Sequence, residues 1–123
     1  MTRKALLVTE DSNLRQFVEI SAMTLTKLNC QVELISSFAF NECIKISGES
    51  NLDLILLDLG LSSFSAIDYI EKIRKSGNSK DKKIIAFSDE INNTDKNRIF
   101  SSGCDSIMSK DEIKLTINNL LQY

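Results

Sequence analysis

Short runs of consecutive apolar residues recur along this chain, each followed by a longer segment with helical periodicity. An unbroken apolar run is typical of a strand that is buried on both faces of a parallel sheet. Four such runs are present, and the last is the weakest: residues 5–8, 54–57, 84–87 and 107–108. Residues 31–35 alternate polar and apolar side chains, as an edge strand does. The sequence therefore predicts five strands.

The segments between the strands carry apolar residues at helical spacing. Asp11 and Ser12 are candidate caps of the first helix, and Ser65 is the candidate cap of the third. One predicted face of the first helix consists of Leu14, Phe17, Val18, Ala22, Leu25 and Leu28. The last helix carries a stripe of Ile113, Ile117 and Leu120. Segments 39–46 and 94–102 are less regular, and the second is so polar that we expect it to be the least tightly packed helix.

Strictly alternating strands and helices predict an α/β fold, a doubly wound parallel sheet with five flanking helices, because parallel strands need right-handed helical crossovers. A length of 123 residues suits one domain, residues 1–123. The 15 basic and 17 acidic residues give a net charge of −2, so we expect no general affinity for nucleic acid or anionic membranes. The first apolar run is too short for a signal peptide or a membrane span.

The residue types that are missing narrow the chemistry further. The sequence has no histidine, which excludes serine–histidine and cysteine–histidine nucleophile pairs and histidine zinc sites. Cys30, Cys43 and Cys104 form no Cys-x-x-Cys pair, so we interpret them as buried or half-buried thiols in a reducing cytoplasm. Any chemistry must therefore use carboxylates, lysine, hydroxyls and backbone groups.

Polar residues with complementary chemistry follow four of the predicted strands. They are Thr9-Glu10-Asp11 after the first strand, Asp58 after the third, Ser88 after the fourth and Ser109-Lys110 after the fifth. In doubly wound sheets the carboxyl ends of the strands form the ligand-binding edge. Carboxylates there can hold Mg²⁺, and one of them can attack a phosphoryl group. A lysine and a hydroxyl can then stabilise the phosphoryl oxygens.

Segments 6–12, 53–59, 87–88 and 103–110, taken in this order, resemble the motifs of the receiver domains of two-component response regulators, which are chemotaxis-regulator-like signalling modules. The resemblance implies a flavodoxin-like sheet in the order 2-1-3-4-5. It also implies that Asp58 is the phosphoacceptor, Ser88 the switch hydroxyl and Lys110 the phosphoryl-binding lysine. The metal ligands implied are Glu10, Asp58 and the carbonyl of Gly60, with Asp11 as an alternative if the loop is shifted by one residue.

The sequence departs from the receiver pattern around the metal site and the switch. Thr9 stands in place of the first of two adjacent acids, and Glu10 is one methylene longer than the usual aspartate, so we expect only weak Mg²⁺ binding. Ser62 replaces a common proline, and Ser65-Ala66 replaces Asp-Gly. Asp111 follows Lys110 where proline is frequent, and Ile107 occupies the position of an aromatic switch residue.

Three functions are compatible with these residues. The first is a cytoplasmic phosphoacceptor signalling domain rather than an enzyme. A sensor histidine kinase or phosphotransfer protein would phosphorylate Asp58. A downstream effector, or a second copy in a homodimer, would bind the surface of the fourth helix, fifth strand and fifth helix. The second is a pseudo-receiver, which binds partners without phosphorylation, as the departures favour. The third, a flavodoxin-like cofactor binder, is opposed by the negative charge of Glu10 and Asp11.

Overall fold

The computed structural model describes residues 3–77, 79–89 and 93–122, in which strands and helices alternate strictly. The elements are β1 (Arg3–Val8), α1 (Ser12–Lys27), β2 (Val32–Ser37), α2 (Phe40–Ser47), β3 (Leu54–Asp58), α3 (Ala66–Lys75), β4 (Lys83–Ser88), α4 (Asn93–Ser102), β5 (Ser106–Ser109) and α5 (Lys110–Gln122). The five strands are parallel, in the order β2-β1-β3-β4-β5. The predicted fold class and strand order are confirmed.

The apolar runs are continuous because the sheet is covered by helices on both faces. In β1, Leu6 and Val8 face the core formed with α2, α3 and α4, whereas Ala5 and Leu7 face the core formed with α1 and α5. Successive side chains of a strand point to opposite faces, so every position of the run must be apolar. All four of these side chains are fully buried.

Several details of the predicted helix faces are wrong. Phe17 of α1 is 39% exposed, and Leu28, which directly follows α1, is 67% exposed. In α5 the buried residue after Ile117 is Leu121, while Leu120 is only partly buried. Cys30, which was interpreted as at least half-buried, is exposed. Cys30 lies in the segment between α1 and β2, which is at the surface, so this weakly polar side chain is not buried.

Of the two candidate caps of the first helix, Asp11 is the cap and Ser12 is the first helical residue, while Ser65 caps α3 as predicted. The Asp11 carboxylate accepts hydrogen bonds from the amides of Asn13 and Leu14, and the Ser65 hydroxyl accepts one from Asp68. Gly103 ends α4 with φ 122°, a conformation that favours glycine. In α4, Ile99 is buried and Phe100 is 46% exposed, so little of this helix is anchored in the core.

The amino-terminal end of the sheet is held by one arginine. Arg74 donates from Nε to the carbonyl of Gly103 at 2.8 Å and from one terminal nitrogen to the carbonyls of Lys80 and Lys82. Its other terminal nitrogen lies 3.0 Å from Asp105 Oδ2, which also accepts the amide of Ile84. The end of α3, the loop before β4 and the turn before β5 are thus joined by one side chain.

Candidate functional site

The parallel register brings the predicted site residues to the carboxyl edge of the sheet. Val8 pairs with Leu57 across β1 and β3, so Thr9 and Asp58 are the next residues on adjacent strands. Asp58 pairs with Phe87, and Ser88 pairs with Ser109, the residue before Lys110. Thr9, Asp58, Ser88 and Lys110 consequently lie at one edge, as the alternating sequence pattern predicts.

Asp58 is a buried carboxylate whose two oxygens have different partners. Its Oδ2 accepts a hydrogen bond from Thr9 Oγ1 at 2.7 Å, and its Oδ1 accepts one from the Gly60 amide at 2.8 Å. Lys110 Nζ lies 3.9 Å from Oδ2, a charge–charge contact rather than a hydrogen bond. Only 4% of Asp58 is exposed, so these groups replace the water that a carboxylate requires.

Lys110 lies among three carboxylates at the start of α5. Its ammonium is 3.1 Å from Asp11 Oδ2, 3.7 Å from Asp89 Oδ2 and 3.9 Å from Asp58 Oδ2. Partial burial alone would lower the pKa of Lys110, but the hydrogen bond with Asp11 and the three negative charges raise it overall. Lys110 therefore remains a cation at physiological pH and can stabilise additional negative charge at this edge.

Glu10 is directed to the loop between β3 and α3, residues 59–65, where two serines bind it. Its Oε1 accepts the amide of Ser62 at 2.6 Å and the Ser62 hydroxyl at 3.0 Å. Its Oε2 accepts the Ser63 hydroxyl at 2.6 Å and the Ser62 hydroxyl at 3.1 Å. The Ser62 amide, followed by the Ser63 hydroxyl, holds the pKa of Glu10 below its ordinary value.

The predicted metal ligands do not make a ready-built cation site. Within residues 3–77, 79–89 and 93–122, no group of three aspartate, glutamate or cysteine side chains could hold a metal ion. Glu10 is engaged by serines, and Asp11 caps α1 and pairs with Lys110. Gly60 donates its amide to Asp58 Oδ1, whereas the predicted metal ligand is its carbonyl, a separate group. Magnesium needs near-octahedral oxygen ligands, so Glu10 would have to leave the serines first.

Ser88 lies beside a small cavity at the same edge of the sheet. It is half-buried and lines a cavity of about 280 Å³ together with Leu61, Phe64, Asp95 and Ile99, among others. The cavity separates the loop 59–65 from α4.

Several functional contacts could not be inferred from the residues alone. Thr9 is a departure from the receiver pattern, and that pattern does not indicate its hydroxyl bond to Asp58. The Ser62 and Ser63 contacts with Glu10 join residues that are far apart in sequence, and Asp89 gave no signal beyond its place after Ser88. The consecutive serines at 62–63 were a usable signal, since hydroxyls in a loop readily bind an adjacent carboxylate.

Asp11 provides a pH-dependent contribution to stability. The Leu14 amide, followed by Lys110, lowers the pKa of Asp11, so its contribution is present above the unfolded value of about 3.9 and is lost as pH falls through the folded value. Asp11→Asn keeps a good cap without the charge, whereas Asp11→Ala removes both and should cost about 1 kcal/mol more. Urea unfolding should show that the stability of wild type exceeds that of Asp11→Asn by more at neutral pH than near pH 3. An equal difference at both values would contradict this assignment.

Comparisons with known proteins identify a family and agree with the fold. The family described as "Response regulator receiver domain" matches residues 6–122. Comparison with curated proteins finds no significant match. None of the helices within residues 3–77, 79–89 and 93–122 combines the length and apolar character of a membrane span.

Solved structures of this kind share the fold at low sequence identity. A phosphorylated cyanobacterial phytochrome response regulator, RcpA, has a TM-score of 0.81 at 16% identity, covering 98% of this chain and 91% of that one. The Vibrio cholerae chemotaxis protein CheY4 has a TM-score of 0.81 at 17% identity, covering 99% and 98%. The Mn²⁺-bound response regulator Rcp1 has a TM-score of 0.79 at 16% identity, covering 96% and 91%. With the family match over nearly its whole length, this chain belongs to the response regulator receiver domain family.

Proposed function

We propose that this receiver domain, residues 1–123, accepts a phosphoryl group on Asp58 from the phosphohistidine of a sensor kinase or phosphotransfer protein in the cytoplasm. The observation that carries the proposal is the pairing of a 4%-exposed carboxylate with a lysine ammonium 3.9 Å away at the carboxyl edge of the sheet. A buried acid at a strand end has a desolvation cost, and a role in phosphoryl transfer accounts for it.

The proposed transfer uses groups that already surround Asp58. A carboxylate oxygen attacks phosphorus, an O–P bond forms and the N–P bond of the donor breaks, and the electron pair leaves with the imidazole nitrogen. Oδ1 and Oδ2 are each held by one hydrogen-bond donor, which limits rotation of the carboxylate. Lys110 offsets the charge of the incoming phosphoryl oxygens, and Ser88 donates a hydrogen bond to one of them after the loops adjust.

Weak Mg²⁺ binding belongs to the same proposal. Bound Mg²⁺ would offset negative charge on the phosphoryl oxygens, with Glu10, Asp58 and the Gly60 carbonyl as its protein ligands. Thr9 is a neutral residue at the position where the receiver pattern has an acid, so the site has one negative charge fewer to attract the cation. Glu10 must also exchange its serine donors for the metal. Both features lower the expected affinity, so we expect weak rather than tight Mg²⁺ binding.

The output would be a change in the surface formed by α4, β5 and α5, which contacts a downstream effector or a second copy of the domain. Elements that move in signalling come from the less firmly anchored parts of a fold. Of the α4 side chains described, Ile99 is buried and Phe100 is 46% exposed. A small conformational change at Ser88 and its cavity would therefore move α4 with little loss of packing free energy.

A pseudo-receiver that binds partners without phosphorylation is the second candidate. It is favoured by the way the acidic groups are satisfied without a cation: Thr9 and Gly60 bind Asp58, Lys110 binds Asp11, and the loop serines bind Glu10. Such a domain would use the same α4-β5-α5 surface in one constant state.

Intact-mass measurement separates the two functions. Wild type incubated with a small-molecule phosphodonor and Mg²⁺ should gain one phosphoryl group, and Asp58→Asn should gain none. Asp89→Asn is the matched control, because Asp89 also contacts Lys110 but is 74% exposed and should not accept the group. Labelling of Asp58→Asn would place the acceptor elsewhere. Absence of labelling in all three proteins would favour the pseudo-receiver.

A further inference from the structure

The contact between Glu10 and the two loop serines consists of four hydrogen bonds. Both carboxylate oxygens are bound, and two of the donor–acceptor distances are 2.6 Å. One of these donors is a backbone amide, which fixes the position of the loop as well as that of the side chain. Hydrogen bonds to an ionised carboxylate are the stronger kind, although exposure to water reduces their net value here.

The contact also joins two segments that are distant in sequence. The acceptor follows β1, and the donors lie 52 and 53 residues later, in the loop between β3 and α3. The same loop carries Leu61 and Phe64, which line the cavity shared with Ser88 and Ile99 of α4. Release of Glu10 would therefore free one wall of the cavity that lies between the sheet edge and α4.

We propose that Ser62 and Ser63 form a latch that competes with divalent cations for Glu10, so that cation binding and opening of the loop 59–65 are coupled. The inference rests on the proposed function only in placing the cation at this edge. A cation that takes Glu10 removes the acceptor from all the donors of the latch at once. By linkage, a bound cation favours the open loop by a certain factor, and opening the loop tightens cation binding by that same factor.

The latch also sets which cations can bind. Magnesium requires precise octahedral geometry and is slow to give up water, whereas larger cations tolerate irregular ligand sets. A larger cation can bind Glu10 at a position where some of the serine hydrogen bonds remain, whereas Mg²⁺ requires Glu10 to leave all of them. We therefore expect removal of the latch to improve Mg²⁺ binding more than Ca²⁺ binding.

The test is a titration of the apo protein with Mg²⁺ or Ca²⁺, followed by isothermal calorimetry and amide NMR, without a phosphodonor. The double variant Ser62→Ala, Ser63→Ala removes three of the four hydrogen bonds and keeps the Ser62-position amide. It should bind Mg²⁺ at least about tenfold more tightly. This factor corresponds to roughly the net contribution of one hydrogen bond to a charged group. In wild type, Mg²⁺ should shift the amides of residues 62 and 63.

The matched control is Ser101→Ala, an exposed serine near the end of α4 at the opposite edge of the sheet, which should leave affinity unchanged. Ser63→Ala alone, which loses one hydroxyl, should give an intermediate gain and serves if the double variant folds poorly. Unchanged or weaker affinity in the double variant, or absence of binding in both proteins, would overturn the latch. Because the titration uses no phosphodonor, failure of the latch is distinguishable from failure of Asp58 to be phosphorylated.

Discussion

Replacing Arg74 with methionine is expected to lower the free energy of unfolding by about 3 kcal/mol, the largest stability effect that we expect from a single exposed-face substitution. Methionine retains an apolar stem, so packing is largely kept while every guanidinium contact is lost. Three backbone carbonyls, of Lys80, Lys82 and Gly103, would lose their charged donor. The Asp105 carboxylate would lose its counter-ion while still accepting the Ile84 amide.

Urea unfolding followed by circular dichroism measures this effect, with Arg15→Met as the matched control. Arg15 forms an exposed ion pair with Glu19 one helical turn away, at 3.4 Å, and such pairs contribute only about 0.3–0.5 kcal/mol. The control should therefore unfold close to wild type. Equal losses for the two variants, or a loss below about 1 kcal/mol for Arg74→Met, would mean that the arginine does not join these loops in solution.

Replacing Thr9 with aspartate is expected to tighten Mg²⁺ binding at least about tenfold and to destabilise the metal-free protein by about 1–2 kcal/mol. Thr9 is only 4% exposed and its hydroxyl donates to Asp58. A carboxylate at this position loses that hydrogen bond and adds a second negative charge in a partly dehydrated site. A divalent cation relieves the repulsion, so added Mg²⁺ should restore the lost stability through its preferential binding to the folded state.

Thr9→Asn is the control for this charge, because asparagine has nearly the shape of aspartate and carries no charge. It should not tighten Mg²⁺ binding, and its stability should not depend on Mg²⁺. Calorimetric titration and thermal unfolding with and without Mg²⁺ measure both quantities. If Thr9→Asp leaves the affinity unchanged while Asp11→Ala abolishes binding, Asp11 rather than Glu10 is the cation ligand at this edge.

The fold could be predicted from the sequence because local patterns and the global arrangement agree. Fully apolar strands need a cover on both faces, and five strands separated by helical segments leave few parallel arrangements. The caps at Asp11 and Ser65 involve donors only two or three residues away, so their geometry is local. The exposure of Phe17 and Leu28 could not be predicted, since it depends on how far α5 and the neighbouring loop cover α1.

The candidate site was predictable in position but not in its hydrogen bonding. Parallel register alone places residues 9, 58, 88 and 110 at one edge. The orientation of Glu10 depends instead on a loop more than 50 residues away, whose path no local pattern sets. Likewise, the Thr9 hydroxyl donates to Asp58 because the two strands are neighbours, and a threonine after a strand carries no such information by itself.

Identification of the phosphorylated residue tests the central proposal most directly. Protein treated with a phosphodonor and Mg²⁺ is reduced with borohydride, which converts an acyl phosphate of aspartate to homoserine, and is then digested and sequenced by tandem mass spectrometry. We predict homoserine at position 58 and an unmodified aspartate at positions 11 and 89, which also contact Lys110. Modification at position 11 or 89 with Asp58 intact, or no modification at any aspartate, would contradict the assignment of Asp58 as the phosphoacceptor.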